Sequence, residues 1–194
     1  MKKILSIAAI VVAIAGSASA AEQRSPFAGS YLGLSLGSDM TRGVFADAKD
    51  DTDFGVTGGI YAGHRWQITP RTVAGIETSF SASSASPSFN GVTMDRNYSL
   101  GVSGVAGYEV VPRVLAFGRV GWETTNVDVR GRGIDDSNWL HGLKVGGGVE
   151  LPVYQNKMLA RVAYDATIYN GDNFDRAGVN SVNHAFTTGM AWKF

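Results

Sequence analysis

The chain has 194 residues, with 17 basic and 17 acidic side chains, 25 Gly, 5 Pro and no Cys. Balanced charge provides no basic surface for nucleic acid, and the lack of Cys excludes disulfides and thiolate metal sites. Mean hydropathy is zero, an average that strict alternation of apolar and polar residues also produces.

In chain order, the first element is a leader. Lys2 and Lys3 precede an apolar run over 4–15, and Gly16-Ser17-Ala18-Ser19-Ala20 closes it with a small-x-small pattern. This is the layout of a secretory signal peptide over 1–20, too short for a spanning helix. Cleavage is expected after Ala20, with Ala21 as the alternative. Removing Lys2 and Lys3 leaves 15 basic against 17 acidic residues, so the exported chain is near −2. Residues 21–29 are expected as a short periplasmic N-terminal segment and 30–194 as one domain.

No helical periodicity of useful length follows. Eight segments alternate with a period of two: 30–37, 54–66, 72–82, 97–109, 114–124, 140–151, 157–169 and 182–194. Segments of roughly 9 to 11 residues suit a tilted bilayer crossing. Three connectors are short and carry Pro, which ends strand pairing for lack of a donor: Thr69-Pro70-Arg71, Val111-Pro112-Arg113 and 152–156. Four are long and rich in Asp, Asn, Ser and Gly: 38–53, 83–96, 125–139 and 170–181. Short turns at one end and long loops at the other is the asymmetry of an outer-membrane barrel, with both termini on the periplasmic side.

Parity divides each segment into two faces. One face carries Leu32, Leu34 and Leu36, Val56 and Ile60, Leu100 and Val102, Val145 and Val149, and equivalents in every segment, with no Asp, Glu, Lys or Arg. Its aromatics Trp66, Phe80, Tyr98, Tyr108, Trp122, Tyr164 and Phe186 are placed to form girdles at the two membrane interfaces. The final segment contributes Met190, Trp192 and Phe194. The opposite face carries Arg65, Glu77, Glu109, Arg119, Glu123, Lys144, Glu150, Arg161, Asp165 and Lys193, five acids and five bases. A soluble barrel puts apolar side chains inside and charge outside; here the charge-free face must meet lipid, where an ion is costly. Lipid offers no backbone partner, so the sheet must close. The fold class expected is all-β: an eight-stranded antiparallel transmembrane β-barrel, an up-and-down meander. Eight strands leave room for side chains only. Equal and opposite interior charges therefore point to a self-neutralising network plugging the lumen, with a narrow ion path as the competing reading. Inward glycines such as Gly33, Gly63, Gly146 and Gly148 make space for the long side chains.

The stretch Phe27-Ala28-Gly29-Ser30-Tyr31-Leu32-Gly33-Leu34 resembles the first strand of the small outer-membrane β-barrel superfamily, the OmpA-like and opacity-type porin group. Gly148-Val149-Glu150-Leu151, a turn, then Leu159-Ala160-Arg161-Val162 is similar to the sixth-to-seventh strand hairpin of OmpA-type barrels. The resemblance implies that Glu150 and Arg161 join an interior salt-bridge cluster, with Asp165 standing where a second acid is displaced from its usual position, here Ala163. It implies that Phe194, with Trp192 and Met190, is the signal read by the barrel-assembly machinery, after periplasmic chaperones have carried the chain. It also implies contact with outer-membrane lipids and lipopolysaccharide. OmpA proteins carry a peptidoglycan-binding domain after the barrel; none is expected after Phe194.

Other motifs carry less. A lipid A deacylase needs Ser, His and an acid at the outer-leaflet rim. His64 falls at the periplasmic end, and His141 and His184 at the outer end near Ser137 and Ser181. None of the three has the Ser two residues on that marks those enzymes, so no catalytic residue is assigned. Asp47, Asp50, Asp51 and Asp53 lack the order and closing Glu of an EF-hand loop, and no metal or cofactor is expected. Gly146-Gly147-Gly148 has no following helix, which rules out a phosphate loop. The third connector mixes Asp128, Arg130, Arg132, Asp135 and Asp136. Apolar loop residues Phe45, Phe89, Val92, Ile134 and Phe174 are scattered, with no patch of the kind an adhesin needs. The expected role is structural, in envelope integrity and surface contact. A surface adhesin is the alternative, with a narrow ion pore or a lipid A-modifying enzyme behind it.

Overall fold

The computed structural model describes residues 25–44, 52–84, 88–89, 92–131, 134–169 and 180–194. The leader, the acids Asp47, Asp50 and Asp51, and Arg132, Phe45 and Phe174 lie outside the described residues. Eight strands make up the wall: β1 Gly29–Val44, β2 Thr52–Thr69, β3 Thr72–Ser83, β4 Val92–Val111, β5 Val114–Gly131, β6 Ile134–Val153, β7 Met158–Tyr169 and β8 Asn180–Lys193. Each pairs antiparallel with its neighbours in sequence, and β8 pairs with β1 across the seam from Tyr31↔Lys193 to Val44↔Asn180, which closes the sheet. Closure leaves no barrel edge with unpaired backbone in lipid.

Six of the eight predicted strands fall inside the observed ones, and 157–169 and 182–194 overrun them by one residue each, Lys157 and Phe194; most of the observed strands are longer. A crossing needs only about ten residues, yet β4 and β6 each run 20. Most of the additional residues lie at the long-loop end. The expected 125–139 connector is instead a continued ladder, paired from Thr125↔Leu140 to Gly131↔Ile134. Ser88–Phe89 folds back on Val92 and Thr93 in the same way. Segments rich in Asp, Asn and Ser read as loops by composition, but a ladder already set in register by a rigid wall propagates through weak strand formers.

At the other end the turns are tight. Thr69 pairs with Thr72 and Val111 with Val114, so two residues bridge each hairpin. Arg113 takes the left-handed region at φ 67°, which costs a non-glycine residue about 1 kcal/mol. Its backbone N–H donates to Glu109 Oε1 at 2.8 Å, and its Nη2 donates to the Pro152 carbonyl at 3.2 Å, which holds it there.

The two faces separate as parity requires. Leu34, Val56, Val120 and Phe186 are each more than half exposed, and Arg65, Glu77 and Glu150 at most 2 %. Among the described side chains, the exposed Arg, Lys, Asp and Glu are Arg71, Arg113 and Lys157, and all three sit on short turns. The wall therefore presents a charge-free belt, the condition for burial in hydrocarbon.

Candidate functional site: the charged interior

The inward positions of β2, β3, β5, β6 and β7 nearest the short turns carry three guanidinium groups and three carboxylates. Arg161 lies at the centre. It donates through Nε to Glu150 Oε1 at 2.6 Å and through Nη1 and Nη2 to the two oxygens of Glu77 at 3.0 and 2.6 Å. Arg65 forks onto Glu150. Arg119 donates to Asp165 and, through Nη1 at 2.5 Å, to Glu77. Tyr31 donates its hydroxyl at 2.7 Å to Glu77 Oε2, the oxygen that Arg161 Nη2 also engages. Each carboxylate thus answers at least one guanidinium, and the six charges cancel. β2 and β6 stand opposite each other in the ring, as do β3 and β7, so the Arg65–Glu150 and Arg161–Glu77 pairs cross the bore. Aromatic faces take up the flat sides of the cations: Tyr61 lies 4.1 Å and Phe117 4.9 Å from Arg161, and Tyr31 4.6 Å from Arg65. Such contacts add about 1 kcal/mol each where water is excluded.

Space for this comes from glycine at two inward positions. A Cβ on Gly146 would overlap the Asp165 carboxylate, and one on Gly63 would strike the Tyr31 ring.

The ten predicted interior charges are not one network. Six form the cluster. Lys144 and Glu123 make a separate pair at 2.7 Å nearer the long loops, where Tyr169 donates to Glu123 at 2.9 Å. Glu109 and Lys193 are a correction: both point inward but lie too close to the short-turn rim to reach the cluster. Glu109 caps the Arg113 turn, and Lys193 donates to the Pro26 carbonyl at 2.8 Å. Asp39 is a buried inward acid beyond the predicted end of the first segment, accepting from Ser83 at 2.8 Å. Only the ladder's continuation past Gly37 reveals it.

Beneath the cluster lies an apolar floor absent from the sequence reading. Phe27, Val73 and Leu115 are fully buried, Leu159 almost so, and Val105 and Ala191 pack with them. Phe27 comes from the N-terminal segment, which turns into the bore: Ser25 N–H donates to Gln67 Oε1 at 2.8 Å, and Ala28 N–H to the Ser25 carbonyl. The sequence signal was Phe27 itself, since parity marks Val73, Leu115 and Leu159 as inward but not as floor. Above the cluster, a cavity of about 70 Å³ opens toward the long loops, walled by Ser35, Thr57, Ser79, Ser81, Ser83 and Ser99 on one side and by Lys144 and Asp165 on the other.

On the outer face, Trp66, Tyr108 and Trp192 lie toward the short turns, and Phe80, Trp122, Tyr164 and Phe186 toward the loops; all seven are exposed. Met190 and Phe194 are exposed as well. Tyr98 is half-buried between Phe80 and Trp139; Trp139, which the sequence reading places in the 125–139 connector, thus joins the girdle. All three His rings face outward and bond hydroxyl groups: His64 to Ser30 at 2.8 Å, His141 to Thr124 at 2.7 Å and His184 to Tyr164 at 2.6 Å.

Comparison with known proteins agrees with this architecture. Residues 7–194 match the family described as outer membrane protein beta-barrel domain. A 22 kDa outer membrane protein of Rhizobium leguminosarum bv. viciae is 30 % identical over 148 residues, which is 76 % of this chain and 69 % of that protein. Among solved structures, Neisserial surface protein A aligns over 86 % of this chain and 98 % of its own, with a TM-score of 0.59 and 17 % identity. Ail, the attachment invasion locus protein of Yersinia pestis, aligns over 84 % and 99 %, with a TM-score of 0.52 and 13 % identity.

Proposed function

This chain belongs to the outer membrane β-barrel family and resides in the outer membrane, and we propose that within that family it is a closed structural barrel serving envelope integrity and surface contact, its lumen plugged by charge. The observation that carries this reading is the neutral cluster of Arg65, Arg119 and Arg161 with Glu77, Glu150 and Asp165, bonded across the bore above an apolar floor. An ion entering from the vestibule would have to break buried ion pairs and leave charges uncompensated, at several kcal/mol each. The apolar floor beneath offers such an ion no ligand.

The partners follow from the same reading. Outer-membrane lipids and lipopolysaccharide surround the belt. The assembly machinery and periplasmic chaperones act during biogenesis, with the Phe194, Trp192 and Met190 face as the segment recognised. No nucleic acid, cofactor or catalytic activity is part of the proposal.

The test has two arms. Barrels reconstituted in planar bilayers are expected to show no steady conductance, and large stable channels would overturn the plug. A deletion strain is expected to leak small hydrophobic dyes and to be rescued by a barrel with trimmed loops. Rescue that needs the loops, with cell or matrix binding that travels with them onto an inert barrel, would establish the adhesin reading instead. Ail is named for attachment, but its likeness at 13 % identity extends to the fold alone. Replacing Phe194 with Asp is expected to slow membrane insertion while leaving the finished fold intact.

A further inference from the structure

The lipid-facing surface is not uniform. Toward its extracellular end, a hollow of about 120 Å³ is sunk between β2, β1, β8 and β7, lined by Ser38, Met40, Phe54, Tyr164, His184 and Phe186. Met40 pairs with both Phe54 and His184 across the two ladders, so these three side chains lie side by side on the outer face. The bottom is polar in an otherwise apolar belt. The Tyr164 hydroxyl and His184 Nδ1 are 2.6 Å apart, and the two rings stack at 6.0 Å with an interplanar angle of 22°.

The phenol has one proton and needs an acceptor in a medium that supplies none. Donation from Tyr164 to Nδ1 meets that need and fixes the tautomer, which places the imidazole's own proton on Nε2. The Ser38 hydroxyl, on the exposed face of β1, is a second donor at the same site. Asp39 also borders the hollow, but its side chain is buried and accepts from Ser83 on the lumen side; the two donors on the outer face suit an anionic oxygen, and the surrounding Met40, Phe54 and Phe186 suit an acyl chain. His141 differs: it also stacks on an aromatic, Trp122, and bonds Thr124, but it lines neither this hollow nor the vestibule.

We propose that this hollow seats one phosphorylated lipid of the outer leaflet. Its phosphate oxygen accepts from His184 Nε2 and Ser38, and one acyl chain lies against Met40, Phe54 and Phe186. The occupant is a lipid because the hollow is continuous with the charge-free belt that already faces lipid. The proposal rests on the outer-leaflet contact proposed above and gives it an address.

The experiment places the full barrel in bilayers containing equal amounts of bisphosphorylated lipid A and the same glycolipid stripped of phosphate. Lipid retained on release into detergent is read by native mass spectrometry, with a parallel arm in which inorganic phosphate is the only phosphate source. The parent is expected to retain the phosphorylated lipid about tenfold over the stripped one, as one hydrogen bond to an ionised group allows, and to retain no free phosphate. His184→Phe, which keeps a ring in place, is expected to abolish the preference, Tyr164→Phe to weaken it, and His141→Phe to leave it intact. Heat-modifiable migration on gels checks that each variant folds. Equal retention of both lipids by the parent, or an undiminished preference in both His184→Phe and Tyr164→Phe, overturns the proposal. A second barrel copy seated in place of lipid would appear as a dimer mass and overturn it as well. The plug does not involve His184, so conductance and dye exclusion in His184→Phe report on the structural reading independently.

Discussion

The two halves of the lumen are built from the same alternating strands, yet they are held by different kinds of bond. In the periplasmic half the bonds cross the bore: Arg65 reaches from β2 to Glu150 on β6, and Arg161 from β7 to Glu77 on β3. In the extracellular half they stay close to the wall. Lys144 meets Glu123 on the adjacent strand, Ser99 meets Thr125 on the adjacent strand, and Ser83 meets Asp39 two strands away. The lower half has a floor beneath it and the upper half opens into a hydroxyl-lined vestibule. Cross-bore pairs fix the shape of the ring, because moving either strand breaks them. Wall pairs decorate a shape already fixed by the ladders. A barrel of this size can therefore concentrate its closure in one layer and leave the other to the loops and what they meet.

Five variants test that contrast, starting from the largest expected effect. Arg161→Ala leaves Glu77 and Glu150 with fewer counter-charges in a buried site. It is expected to cost about 3–5 kcal/mol, read as a lowered urea midpoint for unfolding from bilayers. Phe27→Ala removes a fully buried ring from the floor and is expected to cost about 3 kcal/mol. The same variant should raise solute leakage through the periplasmic end in a liposome swelling assay. A pair of glycine substitutions compares the halves directly. Gly146→Ala forces the Asp165 carboxylate away from Arg119, for about 1–3 kcal/mol. Gly101→Ala meets only the Ser79 hydroxyl, at 2.8 Å, which can rotate aside, and is expected to stay within about 0.5 kcal/mol. Also small is the double change Lys144→Met with Glu123→Gln. Removing both charges of a buried pair together is close to neutral, so the midpoint is expected to move by less than about 1 kcal/mol. If this double variant proved as damaging as Arg161→Ala, the division into a closing layer and an open layer would fail.

Much of this was legible in the residues. Period two and the charge-free parity fixed which side chains face lipid, and Leu34, Val56, Val120 and Met190 all do. Parity does not encode where around the ring an inward side chain lies, nor how far it stands from the rim. It therefore marked Arg65, Glu109 and Lys193 as equivalent, although the first is in the cluster and the other two hold the rim. Strand ends were misjudged wherever Asp and Ser clustered, since composition reports local preference while the ladder is a cooperative property of neighbouring strands. The role of Phe27 was hidden because a segment outside the strands has no periodicity to read.

The seam between β1 and β8 has a consequence for cooperativity. Lys193 holds the Pro26 carbonyl, Phe194 N–H donates to the Ser30 carbonyl at 2.9 Å, and Phe27, lying between them, completes the floor. The same few residues thus join the ends of the sheet and stopper its base. Ring closure and sealing are not successive tasks, for neither can finish alone: an open seam leaves the stopper without its clasp, and an undocked stopper deprives the seam of its last two bonds. Unfolding should accordingly show one transition, with loss of the barrel and loss of the seal at the same denaturant concentration.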